Sequence, residues 1–206
     1  MREYKYQKQK KDHWCGAACL SMVYSRYSIN YTQEKIYSDI KSDNSALEVV
    51  EIVNHVNKHS SLFACAVRFK SENIKDFLKT INNSCVDMIM NHKERNSNSA
   101  HFTLFAKVSN ETVYGFDPYC ENNFPLPISE LDNLWQRNEK LEYAAIAGYT
   151  AILISDDNEL FSHVSNKTCG HNILRINIDN NIIHRILCCE CNVWRNPQWD
   201  TNYNTR

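Results

Sequence analysis

The segment from residue 100 to residue 118 constrains the fold most, because it encodes a β-hairpin with a reactive side chain at each outer end. Two mostly apolar runs flank a short polar turn at residues 109–111, which predicts two antiparallel strands. Antiparallel pairing brings the start of the first strand next to the end of the second. We therefore expect His101 and Asp117 to meet at one edge of a sheet. Pro118 ends the second strand because it cannot donate a ladder hydrogen bond.

A helix is predicted to begin at Cys15, because apolar residues recur at helical spacing behind it through residue 24. Small residues at positions 16–18 allow another element to pack closely against the helix start. A thiol at a helix N-terminus feels the positive end of the helix dipole and free N–H groups, both of which favour the thiolate. A buried structural cysteine is the alternative interpretation. The distant histidine and aspartate, which are a base and its orienting carboxylate, favour a nucleophile.

These segments resemble the papain-like cysteine peptidases that process bacteriocin leaders of the double-glycine type. The resemblance covers roughly residues 1–155 and rests on Gln9, the run Cys-Gly-Ala-Ala-Cys-Leu at residues 15–20, His101-Phe102 and Asp117-Pro118. It implies a papain-like fold and cleavage of a peptide after two glycines. Members of that family usually form the front of a membrane exporter, whereas no exporter sequence is present in this chain.

The resemblance also implies roles for individual residues. Cys15 would be the nucleophile, His101 the base and Asp117 the residue that orients the imidazole. The side chain of Gln9, together with the backbone N–H of Cys15, would form the oxyanion hole. Gln7 lies close in sequence and is the less favoured holder of that last role.

The order of predicted elements indicates an α+β fold, with N-terminal helices packed on a mostly antiparallel sheet. Thr32 is predicted to cap a helix that ends at Ile40, and Ser45 with Glu48 is predicted to form a capping box for the next helix. Cys19, Cys65 and Cys85 are interpreted as packed side chains, and His55, His59 and His92 as surface or loop residues.

Composition excludes several functions. The net charge of −1 argues against binding nucleic acid through bulk charge. The N-terminus lacks the apolar core of a signal peptide, and the longest apolar run, residues 143–154, is too short to span a bilayer. We therefore expect no membrane partner and a cytoplasmic protein whose nine cysteines are reduced.

A boundary is predicted near residue 156, which separates a peptidase domain (1–155) from a C-terminal module (156–206). This module carries a Cys-x-His and a Cys-x-x-Cys pair, formed by Cys169, His171, Cys188 and Cys191. Such ligands bind structural zinc, and a hairpin of residues 173–178 and 182–187 around Asp179-Asn180-Asn181 would bring the pairs together. A small segment gains stability from a metal staple. Cys189 competes with Cys188 as a ligand, and His184 or His163 with His171; packed or redox cysteines are the other interpretation.

The predicted function is thiol-dependent hydrolysis of a peptide or protein substrate by a stand-alone enzyme. Two alternatives use the same fold. One is an acyltransferase or deamidase with the same triad, and the other is a non-catalytic peptide-binding module, against which the complete set of site residues argues. The sequence leaves the oligomeric state open.

Overall fold

The structure is a computed structural model that describes residues 3–41, 43, 45–95, 99–136, 148–165, 169–178 and 182–195, with the backbone alone at 121–124. The helices are α1 (Cys15–Arg26), α2 (Gln33–Ile40), α3 (Val49–His59), α4 (Ile74–Asn82) and α5 (Ile128–Trp135). The strands are β1 (Phe63–Phe69), β2 (Asp87–Lys93), β3 (Ala100–Ser109), β4 (Thr112–Asp117), β5 (Glu121–Pro127), β6 (Thr150–Ser155), β7 (Phe161–Ser165), β8 (Asn172–Ile176), β9 (Ile183–Cys188) and β10 (Val193–Arg195). Within these ranges no helix has the length and apolar character needed to cross a bilayer.

One antiparallel sheet of eight strands organises the fold, in the order β10-β9-β1-β6-β2-β3-β4-β5. Apolar side chains cover both faces. Helices α1, α2 and α3 pack on one face, and α4, α5 and the separate β7–β8 ribbon pack on the other. Burial of both faces explains why β1, β6 and residues 88–90 of β2 are apolar almost without alternation. The predicted α+β arrangement, with N-terminal helices on an antiparallel sheet, is confirmed.

Helix α1 is buried from residue 15 through residue 24. Gly16 permits its close approach to the neighbouring elements. A Cβ atom at this position would lie 2.9 Å from Ile52 Cδ1 on α3 and 3.3 Å from Phe102 Cδ2 on β3. The small residue behind Cys15 therefore lets the N-terminus of α1 reach the sheet.

The two predicted helix caps have different outcomes. Thr32 caps α2 as predicted, because its side chain accepts a hydrogen bond from the Lys35 N–H. The prediction that α3 begins at Ser45 is wrong. Its capping box is formed by Glu48 and Glu51, and Ser45 instead donates to Asp43 Oδ1 at 2.6 Å. This local turn competes with the helical conformation.

The β3–β4 hairpin forms as predicted. Its two-residue turn has positive φ at Asn110 (49°) and Glu111 (60°), which matches the twist of the paired strands. Gly115 allows a close backbone approach, because a Cβ atom there would lie 2.5 Å from the Leu104 carbonyl oxygen. The register shifts around these positions, and the end of β4 lies beside the start of β3.

The segment after residue 155 adds strands to the peptidase sheet. The sequence predicts that the strands on either side of Asp179-Asn180-Asn181 pair with each other. Instead β8 pairs with β7, and β9 pairs with β1 on one side and β10 on the other. Pairing with β9 covers an apolar strand that would otherwise be an open edge. The predicted turn itself lies outside the described residues.

Candidate active site

Cys15 is the first residue of α1 and is buried, with 6% of the residue exposed. Trp14 occupies the N-cap position without a side-chain hydrogen bond to the helix. The positive end of the α1 dipole therefore lies beside the Cys15 thiol without a neutralising cap. Trp14 stacks on Tyr37 of α2 with 4.7 Å between the ring centroids. This contact holds Trp14 in place directly before Cys15.

His101 and Asp117 lie together at the end of the β3–β4 hairpin that is opposite its turn, as the hairpin predicts. The His101 Nε2 atom is 2.8 Å from Asp117 Oδ1, and both residues are buried. Cys15 acts on the same imidazole and favours its protonated form, which raises the pKa of His101. The structure therefore brings the three side chains into one connected row, in the order thiol, imidazole and carboxylate.

The charges in this row are mutually stabilising. Burial lowers the pKa of His101, but the hydrogen bonds with Asp117 and Cys15 outweigh burial and raise this pKa to about 10. Burial raises the pKa of Asp117, whereas the hydrogen bonds from His101 and from the Tyr119 N–H hold it below its ordinary value. An imidazolium facing a carboxylate is the favoured state at neutral pH.

Gln9 lies next to this row and is 8% exposed. Its backbone N–H donates to the Pro118 carbonyl at 2.7 Å, and its side-chain Nε2 donates to the carbonyls of Lys11 and Asp12 at 3.0 and 2.7 Å. Its Oε1 atom is buried and has no hydrogen-bond partner. Gln7 is engaged elsewhere, because its Oε1 accepts from Ser21 Oγ at 3.0 Å.

The N-terminal arm, defined as residues 3–9, attaches to the strand that carries Asp117. Tyr6 donates through its hydroxyl to the Asp117 carbonyl at 3.3 Å and stacks on Phe116 with centroids 6.4 Å apart. Tyr4 packs edge-on against the same Phe116 ring. The arm thus connects Gln9 and Asp117, which are far apart in sequence.

Two histidines interpreted as surface residues are in fact buried. His92 is 2% exposed and His55 is 3% exposed. His92 stands opposite His101 in the β2–β3 register, and His55 bonds through Nδ1 to the Tyr24 hydroxyl at 2.9 Å. The apolar run at residues 85–90 predicts a strand that ends before residue 92. Extension of that strand by two residues, to His92, is the signal that would have placed His92 beside His101.

The other cysteines of the peptidase region have simple environments. Cys19 is fully buried and donates to the Phe102 carbonyl at 3.5 Å. Burial and the neighbouring Cys15 raise its pKa well above the ordinary value. Cys65 is buried as predicted, whereas Cys85 is exposed because β2 begins two residues later. Cys120 is exposed and interacts with Asp117.

The C-terminal segment assembles a group of side chains that could hold a metal ion. One ligand atom from each of four residues lies within 4.8 Å of the others, and these residues are Cys169, His171, Cys188 and Cys191. Cys169 Sγ is 3.8 Å from Cys188 Sγ, and His171 Nδ1 is 3.5 Å from Cys188 Sγ. Within the described ranges, Cys189, His163 and His184 do not belong to this group.

The fold, together with the row of Cys15, His101 and Asp117, is that of a papain-like cysteine peptidase. The helix that begins with the cysteine packs on the antiparallel sheet that carries the histidine and the aspartate. Residues 3–142 match the model of the peptidase C39 family, and the chain belongs to this family. The match ends before β6, so the possible metal ligands Cys169, His171, Cys188 and Cys191 lie outside it. The comparison with curated proteins gave no match.

Solved structures share the fold at low sequence identity. The peptidase domain of Streptococcus ComA, a bifunctional ABC transporter involved in quorum sensing, has a TM-score of 0.59 and 15% identity, covering 74% of this chain and 98% of that domain. A double glycine motif protease from an AMS/PCAT transporter, in complex with the leader peptide, has a TM-score of 0.55 and 18% identity, and the match covers 74% of this chain and 91% of that one. A putative C39-like peptidase from Bacillus anthracis has a TM-score of 0.53 and 13% identity, and the match covers 75% of this chain and 96% of that one.

Proposed function

We propose that this chain hydrolyses a peptide bond with Cys15 as nucleophile, His101 as general base and acid, and Asp117 as the orienting residue. The observation that supports this most strongly is the buried hydrogen bond between His101 and Asp117, with Cys15 acting on the same imidazole to raise its pKa. A base within reach of a nucleophile, itself held by a third group, is the arrangement that covalent catalysis requires.

The proposed reaction begins with an ion pair in which His101 holds the Cys15 proton. The thiolate adds to the carbonyl carbon of the substrate, and the carbonyl electrons move to its oxygen. His101 then protonates the departing amine as the C–N bond breaks, which leaves a thioester on Cys15. Water, deprotonated by His101, attacks the thioester, releases the acid and restores the thiol. Asp117 holds the imidazole in the tautomer that these transfers need.

The developing oxyanion would be held by the Cys15 backbone N–H and the Gln9 side chain, at roughly 3 kcal/mol per donor. Gln9 is suitably placed, since its backbone bonds to Pro118 directly after Asp117. Its Nε2 atom currently donates to Lys11 and Asp12. Substrate binding would therefore replace one of these carbonyls with the oxyanion as acceptor.

The proposed substrate is a peptide or protein segment with two consecutive glycines before the cleaved bond. Membership of the peptidase C39 family supports a peptidase. One structural neighbour is a double glycine motif protease in complex with its leader peptide, and we extend that substrate class to this chain. We propose that the chain acts in the cytoplasm, where its thiols would stay reduced.

The reaction products distinguish hydrolysis from the related acyltransferase and deamidase reactions. We expect a degenerate library of Gly-Gly peptides, incubated with the protein in heavy-oxygen water, to yield shorter peptides with one heavy oxygen in the new carboxyl group. Mass spectrometry checks this result. Capture of the acyl group by an added amine in preference to water, or conversion of glutamine to glutamate without chain cleavage, would contradict the hydrolase. The Cys15→Ala protein is the matched control.

We further propose that Cys169, His171, Cys188 and Cys191 bind a structural zinc ion in a C-terminal module (residues 156–206) added to the peptidase domain (residues 1–155). Tetrahedral zinc with ordinary bond lengths separates two sulfur ligands by about 3.8 Å, and a sulfur from a nitrogen by about 3.6 Å. Cys188 Sγ lies 3.8 Å from Cys169 Sγ and 3.5 Å from His171 Nδ1, and all four ligand atoms lie within 4.8 Å of one another. His171 Nε2 also lies 3.6 Å from Glu190, the kind of carboxylate that orients a metal-bound imidazole.

Metal analysis tests the zinc site. The purified protein is expected to contain about one equivalent of zinc, because three thiolates and one imidazole complete a structural site. Cys188→Ser should lose most of it, whereas Cys189→Ser, at the neighbouring position, should retain it. Cobalt substitution should give thiolate-to-metal absorption in the wild type and in Cys189→Ser only. Less than about half an equivalent after zinc loading, or equal loss in both variants, would contradict the site.

A further inference from the structure

His92 occupies a special position relative to the proposed base. It stands directly opposite His101 in the antiparallel β2–β3 register, so the two side chains share one face of the sheet. Their ring centroids are 5.8 Å apart and the rings are nearly perpendicular, at 77°. This is the edge-to-face arrangement that neighbouring rings prefer.

Two hydrogen bonds fix the His92 ring. Nδ1 lies 2.7 Å from the Lys93 carbonyl oxygen, and Nε2 lies 2.9 Å from the Thr103 hydroxyl. A carbonyl only accepts, so Nδ1 carries the proton. In the neutral ring Nε2 is then the acceptor, and the Thr103 hydroxyl donates to it. Thr103 is fully buried and lies two residues beyond His101 on the same strand.

The environment keeps this ring uncharged. His92 is 2% exposed, and burial together with the nearby His101 charge lowers its pKa to about 4, although Lys93 and Asp117 oppose this shift. A neutral ring can pack against the His101 imidazolium without repelling it. The contact also excludes water from the side of His101 that His92 covers.

We propose that His92 is a positioning residue for the general base: its neutral ring, held by Lys93 and Thr103, packs against His101 and keeps the imidazole aligned between Cys15 and Asp117. This inference rests on the proposed function, since it assigns His92 to the same row of side chains. His92 touches neither the substrate nor the reacting atoms, and it acts through the orientation of His101 alone. Small displacements of a catalytic group cost activity because the reacting atoms must be aligned.

The rate at which iodoacetamide alkylates Cys15 at neutral pH reports this alignment without any substrate. His92→Ala is expected to slow alkylation of Cys15 about tenfold and to lower kcat on a cleaved peptide by a similar factor, with KM within about twofold of the wild type. His92→Phe keeps a neutral ring and should recover most of the rate. His55→Ala is the matched control, because it removes a buried histidine that bonds to Tyr24 and packs against Tyr31 and His59, outside the proposed site.

The melting temperature separates alignment from general stability. Both alanine variants should melt at lower temperature than the wild type, but only His92→Ala should slow alkylation and only His92→Phe should restore it. Equal alkylation rates in the wild type and in the folded His92→Phe and His92→Ala proteins would overturn the inference, and so would equal slowing in His92→Ala and His55→Ala. If Cys15 in the wild type reacts no faster than the exposed Cys85, the proposed function fails as well, and the two failures are thereby distinguished.

Discussion

Replacement of Cys15 by alanine is expected to abolish peptide cleavage, with a loss of at least about a thousandfold, while the protein remains folded. The thiol is the one group that forms the covalent bond in the proposed reaction, and His101 and Asp117 act through it. Its removal deletes few packing contacts, because alanine retains the helical conformation and the Cβ atom. Cleavage is measured by the release of peptide fragments, and folding by thermal unfolding of the two proteins side by side.

Alkylation of Cys15 in the wild type gives a second test of the same thiol. In the wild type, Cys15 should react with iodoacetamide at neutral pH faster than an ordinary thiol, because it faces His101 at the start of α1. Cys85→Ala is the matched control, since it removes an exposed thiol remote from the site and should leave both cleavage and Cys15 labelling unchanged. Cleavage that survives in Cys15→Ala would refute the nucleophile assignment directly.

The parts of the site that follow from local pattern could be predicted from the sequence. Two mostly apolar runs around a polar turn specify the β3–β4 hairpin, and the hairpin alone places His101 beside Asp117. Apolar periodicity and small residues after Cys15 specify a helix start that can approach the sheet. Each of these inferences needs contacts only between neighbouring elements, which is why sequence patterns carry them.

Contacts between elements distant in sequence could not be predicted in the same way. The burial of His92 depends on β2 extending alongside β3 to the level of His101, and a polar residue at a strand end carries no mark of that. The pairing of β9 with β1 in place of β8 depends on a free apolar edge. That edge exists only once the rest of the sheet has formed.

Local competition explains the remaining differences. Ser45 has the residue type and spacing of a helix cap, yet Asp43 captures its side chain and Glu48 caps α3 one turn later. Gln9 lies beside the end of β4, next to Asp117. The hydrogen bonds of its side-chain amide to Lys11 and Asp12 could not be predicted from the sequence. In both cases nearby polar groups decide which partner a side chain takes.

The stability of the protein is expected to depend on pH through His101. Its pKa is about 10 in the folded protein, against about 6.5 for a histidine in an unfolded chain. The folded state therefore binds this proton more tightly. The resulting stabilisation is fully present below about pH 6.5 and is lost as the pH rises through the folded-state pKa. At about 1.4 kcal/mol per pKa unit, the loss amounts to roughly 3 to 5 kcal/mol between pH 6.5 and pH 10.

Urea unfolding gives the free energy of unfolding at each pH in this range. Comparison of the wild type with His101→Gln separates the contribution of His101 to this free energy from that of titrating lysines and thiols. The wild type should lose more free energy of unfolding than the variant as the pH rises. Asp117→Asn should reduce this difference more than Cys15→Ala does, because the hydrogen bond with Asp117 is the larger of the two that raise the pKa of His101. Parallel profiles for wild type and His101→Gln would mean that the imidazole gains no charge stabilisation on folding. In that case the row of thiol, imidazole and carboxylate would not act as a coupled unit.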